Sequence, residues 1–424
     1  MKLEYLKLTN FRGFREFEIT FDPQFTVLLG GNMAGKTAVL EAAAVALGAL
    51  LESVPGAPDR EITDSEIYQT VIEIAGVPTL EQQSPTEVEA TLAQPGKKWT
   101  WRRMRDDTGP NTMTDQYRTP KILEAHSQDG KLLDLPIIVQ YGTRRNWLGP
   151  KDVGARLGVG SRQDGYAGWF DAGTAHGRLA GWMWQQTLVQ LQRGSGYIQP
   201  QLAAVEAAVK SCINDVTRFW FDVQYNELRL ERTGGDIQSF AMLSEGYRNM
   251  VAMIADIAWR AAVLNPQHGS EAHLRTEGIA LIDELDLHLH PAWQRSIVAD
   301  LRRTFPKIQF IVTTHSPQIV ASVSRSQIRL LERNQLVADE AYVQGRSSDE
   351  ILEDVFGVTA RPKAVQDEID ALYRLIEDED FATARQHLAA LQERLGPDDT
   401  AMQRARWILD SEELQSNGKP AAAP

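Results

Sequence analysis

The chain has 424 residues, a single cysteine and a formal charge of −13, from 44 basic and 57 acidic side chains. That length implies two or three domains or one large core with insertions, and 43% hydrophobic with 24% charged residues excludes a disordered or fibrous chain. The acidic balance opposes general binding to nucleic acid, so any such contact must use a local basic patch.

The lone Cys212 allows no internal disulfide framework and suits a reducing compartment. The longest uncharged apolar run, Ala42 to Leu51, is too short to span a bilayer. The opening residues alternate like a strand and lack the apolar stretch of a secretory signal. The expectation is a soluble, cytoplasmic protein with no membrane partner.

In chain order, "LEYLKL" and "EFEITF" alternate apolar and polar residues and predict two half-buried antiparallel strands. "FTVLLG" is solidly apolar, as in a strand covered on both faces, and leads through glycines into the helix "AVLEAAAVALGALL". A hairpin is expected over about 85 to 105, turning at Pro95 and Gly96, followed by a buried strand in "LPIIVQYG". Residues 150–242 read as a largely helical lobe with a β element. A helix beginning near Ser244, the strand "GIALID", a helix from Pro291 and the strand "IQFIVTTH" complete a parallel sheet with crossover helices. Residues 336–412 carry helical periodicity, read as an appended hairpin, and 413–424 are too poor in apolar bulk to fold. The head itself is thus split into 1–149 and 243–335.

Gly30 to Thr37, GGNMAGKT, fits G-x-x-x-x-G-K-[ST] between a buried strand and a helix, the context that a phosphate loop demands. Gly30, Asn32, Gly35, Lys36 and Thr37 are the nucleotide-binding candidates: glycines let the backbone wrap a phosphate, Lys36 reaches its oxygens, and Thr37 can ligate Mg²⁺. Such a site needs acids at the end of a second buried strand. "LIDELDLHLHPAWQ" supplies Asp283 for the cation and Glu284 to polarise the attacking water. A zinc site on His288 and His290 is the competing reading, but no other Cys or His cluster has ligand spacing. Packing or dimer contacts are the simpler role for both. His315, ending the next strand in "VTTHSP", can reach the γ-phosphate from the same sheet edge, although a histidine there is commonly structural.

The phosphate loop, "LSEGYR", "LIDELD" and "TTHSP", in that order, resemble the ABC-type ATPase heads of the SMC and RecF class. The resemblance implies an α/β P-loop head with an antiparallel β subdomain and a helical lobe, bound to ATP and Mg²⁺. Ser244 and Gly246 match the signature segment, with Glu245 in place of its first glycine. A signature helix completes the site of a second head, so the resemblance implies an ATP-bridged homodimer or an assembly of such dimers. It further implies that Gln140 touches Mg²⁺ and that Arg12 lies near the nucleotide; an exposed turn arginine is the plainer reading of Arg12.

No heptads are present to build coiled-coil arms, and no acidic strand motif follows His315 to make a nuclease. "YGTRRNW", "FPKIQFIVTTHSPQIV" and "VFGVTARPKAVQDEIDALYRLIEDEDFATA" are similar to the PtuA-type ATPases of Septu and retron anti-phage defence. That similarity implies control of a separately encoded HNH nuclease or other effector. The alternative is a RecF-like repair ATPase with no toxic effector. The cluster Lys97, Lys98, Trp99, Trp101, Arg102, Arg103 and Arg105 could contact nucleic acid, but on an alternating strand ordinary hairpin packing is the simpler account.

Overall fold

The computed structural model describes residues 1–52, 54–74, 77–94, 96–106, 109–111, 133–144, 160–170, 175–194, 196–337, 344–359 and 361–417. Readings that fall on 145–159, on 171–174 and beyond 417 lie outside the described residues. The chain divides into two compact units, Met1–Ser348 and Asp349–Pro424.

The first unit is built on a six-stranded sheet. Its strands run, in spatial order, Gln335–Leu336, Ile328–Glu332, Phe25–Leu29, Ile308–Thr313, Gly278–Ile282 and Ile137–Tyr141. All neighbours are parallel except the first pair. The strands Phe25–Leu29, Ile308–Thr313, Gly278–Ile282 and Ile137–Tyr141 are buried at every position, which is why each reads as mainly apolar rather than alternating, with Thr26, Gln309 and Gln140 as buried polar exceptions.

A five-stranded antiparallel sheet lies beside it, ordered Phe14–Thr20, Lys2–Phe11, Thr86–Gln94, Lys97–Asp106 and Gly109–Asn111. Between the two sheets runs the helix Lys36–Gly48, packed on strands of both. Ala42, Ala43, Ala44, Val45, Ala46 and Leu47 are all fully buried, so this part of the helix is apolar all round and small side chains let both sheets approach it. Trp101 of the antiparallel sheet is itself fully buried and donates its Nε1–H to the Ala46 carbonyl at 3.0 Å.

The lobe contributes helices Ala175–Gln192 and Pro200–Cys212 and a three-stranded sheet, Val216–Asp222, Glu227–Arg232 and Ile237–Ser239. The helix Glu245–Leu264 then crosses the unit, buried along most of its length. The helix expected from Pro291 is two pieces, Pro291–Gln294 and Ile297–Thr304.

In the second unit, after the short helix Ser348–Asp354, three helices pack together rather than a hairpin of two: Lys363–Glu377, Phe381–Leu395 and Thr400–Asn417. Its own core joins Ile369, Leu372, Ile376, Ala384, Leu388, Leu391, Met402, Ala405 and Leu409. The Asp380 side chain caps the second helix by accepting the Thr383 N–H at 3.2 Å. The third helix continues through Asn417, into the segment that composition alone marked as unfolded.

Candidate functional site

The strand Phe25–Leu29 ends at the sheet edge, and the chain turns through Gly30–Gly35 into the helix Lys36–Gly48. Gly35 sits at the helix N-terminus with φ of 97°. A Cβ there would lie 2.5 Å from the Phe14 ring and 2.8 Å from Asn334 Oδ1, so both the conformation and the space require glycine. The Lys36 ammonium is tucked against the loop, donating to the carbonyls of Gly30 at 2.8 Å and Gly31 at 2.9 Å. Burial lowers its pKa, an effect partly offset by the negative field of Asp283, Glu284 and Asp286. Asn32 and Met33 are exposed on the loop, Met33 at a φ of 65°.

Parallel pairing sets the acids opposite this loop. Asp283 follows the strand Gly278–Ile282 directly; its N–H donates to the Tyr141 carbonyl at 2.8 Å. Thr37 Oγ1 donates to the Asp283 carboxylate at 3.1 Å, and Thr313 Oγ1, ending the next strand, donates to Asp283 Oδ1 at 2.6 Å. The same Thr313 hydroxyl accepts the Glu284 N–H at 2.7 Å. One hydroxyl therefore holds the Asp283 carboxylate and the Glu284 backbone, and Glu284 sits at a φ of 49°. Sequence reasoning missed Thr313. Its only trace is the pair of threonines in "VTTHSP", the second of which, Thr314, donates to Asp286 Oδ1 at 2.6 Å. His315 is exposed at this edge, and its backbone N–H also donates to Asp286, at 3.2 Å.

Gln140 and Arg12 belong to one polar network behind the loop. Buried Gln140 donates from Nε2 to Glu41 Oε1 at 3.0 Å; Glu41 Oε2 accepts from Arg60 at 2.7 Å. Arg60 also binds Glu66 at 2.6 Å, and Glu66 takes a further bond from Arg12 at 3.0 Å. Burial alone would raise the Glu66 carboxyl, but bonds from Arg60 and the Thr63 amide, with the charges of Arg60 and Arg12, hold it below the usual carboxylate range. Arg12 is thus an ion-paired residue, half-buried and not a free turn arginine.

Ser244 starts the helix Glu245–Leu264, is exposed, and makes no side-chain capping bond. Gly246 packs on the loop that follows the acids: a Cβ there would meet the His288 carbonyl oxygen at 1.9 Å. No hydrogen bond among the described residues links Ser244 or Gly246 to Gly30–Thr37. His288 Nε2 lies 3.6 Å from Glu245, and His290 Nδ1 accepts the Ala292 N–H at 3.3 Å as a helix cap. Both histidines are exposed and make these local contacts. Four basic residues of the hairpin are ion-paired: Arg102 with Glu87 and Glu89, Arg103 with Asp59 and Glu52, Arg105 with Asp64, and Lys98 with Glu4. They form cross-strand and interlayer ion pairs rather than a continuous basic face.

A phosphate loop on a buried parallel strand, a histidine following the adjacent strand and acids closing the strand beyond it are the arrangement of an α/β P-loop ATPase fold. Residues 5–137 match the family described as "AAA domain", and 210–321 match "AAA domain, putative AbiEii toxin, Type IV TA system". The chain is similar to the Retron Ec83 probable ATPase of Escherichia coli, 39% identical over 192 residues that cover 42% of this chain and 35% of that one. It is similar also to Septu protein PtuA of Bacillus mycoides (strain KBAB4), 41% identical over 101 residues covering 24% and 13% of the two chains. A third match is the DNA replication and repair protein RecF of Synechococcus sp. (strain JA-2-3B'a(2-13)), 46% identical over 72 residues, 17% of this chain and 18% of that one. The chain spans about a third of the length of the retron relative. Among the described residues no helix is long and apolar enough to cross a membrane.

Proposed function

We propose that the protein is a Mg²⁺-dependent ATPase head that closes on a second copy of itself around ATP and thereby controls a partner effector, an HNH nuclease, in anti-phage defence of the retron or Septu type. The observation that carries the ATPase reading is the hydrogen-bond chain from Thr37 through Asp283 and Thr313 to the Glu284 backbone amide, beside the Lys36 loop. Its donors toward a cation are all oxygen, the set that suits Mg²⁺ and not a softer metal. Thr37, Asp283 and Gln140 would hold the cation, which when bound neutralises charge developing on the transferred phosphoryl group.

The loop amides and the N-terminus of the helix Lys36–Gly48 bind the phosphates, with Lys36 leaving the Gly30 and Gly31 carbonyls for the phosphate oxygens. Glu284, positioned through its amide by Thr313, takes a proton from the attacking water, and His315 contacts the γ-phosphate. Ser244 and Gly246 complete the site of the second head. Binding of ATP would thus favour the closed pair, and loss of the γ-phosphate would weaken it. The similarity to the retron and Septu ATPases supports the defence role, with the effector supplied as a separate chain.

Phosphate release should be measured for the parent and Glu284→Gln, beside co-purification with the product of the neighbouring gene and nuclease assays with and without ATP. A nucleotide-dependent nuclease complex is the expected result. The RecF match favours a second reading, a repair ATPase. ATP hydrolysis stimulated by gapped duplex DNA, with no partner retained, would establish that reading and overturn the first.

A further inference from the structure

The network around Glu41 does more than tie a helix to a sheet. We infer that Glu41, clamped by Arg60, fixes the side-chain amide of Gln140 with its carbonyl Oε1 turned to the cation, and so sets the affinity of the site for Mg²⁺. This rests on the reading above that Gln140 is a Mg²⁺ ligand.

The orientation follows from hydrogen-bond chemistry. An ionised carboxylate only accepts, so the group of Gln140 that meets Glu41 Oε1 at 3.0 Å has to be the NH₂ end. The carbonyl end is then the one left for a cation, and a flipped amide would present hydrogens where an oxygen is needed. Gln140 also stands between the two elements that supply the other cation donors. Glu41 lies four residues beyond Thr37 in the helix Lys36–Gly48, on the same face. Tyr141, the next residue after Gln140, accepts the backbone N–H of Asp283 at 2.8 Å.

Glu41 is itself immobilised. Its second oxygen takes the bond from Arg60, and Arg60 spreads its guanidinium over Glu41 and the two oxygens of Glu66, at 2.7, 2.6 and 3.0 Å. Glu66 is buried and is held again by Arg12. A rigid acceptor of this kind orients a ligand as a carboxylate behind a metal-bound histidine does, and loss of such a support typically weakens metal binding about tenfold or more. Glu41 and Arg60 are positioning residues: they act through Gln140 and touch neither nucleotide nor cation.

The test is a Mg²⁺ titration of thermal stabilisation at saturating non-hydrolysable ATP analogue, a readout independent of turnover. Gln140→Ala and Glu41→Ala should each raise the half-saturating Mg²⁺ about tenfold, and the double variant should raise it no further. Glu41→Gln, whose Oε1 can still accept, should fall in between, and it carries the measurement if Glu41→Ala is not recovered folded. If Gln140→Ala shifts the Mg²⁺ midpoint while the Glu41 variants only lower the melting temperature, Glu41 is a structural tie and the inference is overturned. If Gln140→Ala leaves the midpoint unchanged, Gln140 is no Mg²⁺ ligand and the clamp fails with that reading.

Discussion

Replacing Gly246 by alanine tests how the helix Glu245–Leu264 is coupled to the acids. The added Cβ would sit 1.9 Å from the His288 carbonyl oxygen and 2.9 Å from its carbon. Contacts below 3.0 Å essentially never occur, so helix and loop must separate by at least 3.0 − 1.9 = 1.1 Å. The loop has little room to give. Leu287 N–H is bonded to the Glu284 carbonyl and Leu289 N–H to Asp286, both at 2.9 Å, while Leu285 and Leu289 are buried and His288 is already at a φ of 63°.

The displacement must therefore reach either Glu284 or the first turn that carries Ser244. Overpacking of this size costs about 1–3 kcal/mol, and a shift of about 1 Å in a reacting group can cost about 10²-fold in rate. Phosphate release at saturating Mg-ATP and the melting temperature should be recorded on the same preparation. A fall of about 10²-fold in turnover with a modest loss of stability is expected. Parental turnover at the parental melting temperature would show that the loop yields freely, and the coupling argument would be refuted.

Three further outcomes follow from the same geometry. Asp256 and Arg260 pair at 2.8 Å with both side chains fully buried, and the Tyr141 hydroxyl donates to Asp256 at 2.7 Å, so Asp256→Ala strands a buried guanidinium and should cost about 3–5 kcal/mol in chemical denaturation; a loss under about 1 kcal/mol would mean that water reaches Arg260. Trp101→Phe deletes the bond to the Ala46 carbonyl and leaves a gap between sheet and helix, an expected loss of about 1–3 kcal/mol by the same assay, and no loss would contradict that interlayer contact. Glu66, with a carboxyl held below its ordinary 4.5, contributes stability that is complete above about that pH and is lost as pH falls through its lower folded value. Glu66→Gln should accordingly be less stable than the parent at neutral pH, with the gap narrowing in acid; a gap independent of pH would remove the charge from the explanation.

Much of the head was legible from local pattern. Phe25–Leu29, Ile308–Thr313 and Gly278–Ile282 each announce a doubly covered strand by predominantly apolar sequence without alternation, because burial on both faces removes any reason for it. The glycines before Lys36 mark the turn for an equally local reason, since a positive φ at Gly35 is a property of the chain itself. The paired acids Asp283 and Glu284 stand out as charges at the end of such a run.

Only the tertiary structure decided what these residues touch. Thr37 and Asp283 are 246 positions apart, and their meeting depends on strand order, which composition does not encode. The same holds for Thr313 between the two acids, for Glu41 behind Gln140, and for Gly246 against His288, where a close backbone approach leaves no mark beyond the glycine itself. For Arg102, Arg103 and Arg105 the sequence left a nucleic-acid contact open beside the simpler account of hairpin packing, and pairing across strands and layers sets them against acids. The carboxyl-terminal unit makes the complementary point. Periodicity foretold helices, but two amphipathic helices leave an apolar stripe uncovered, and the third, through Met402, Ala405 and Leu409, completes the core.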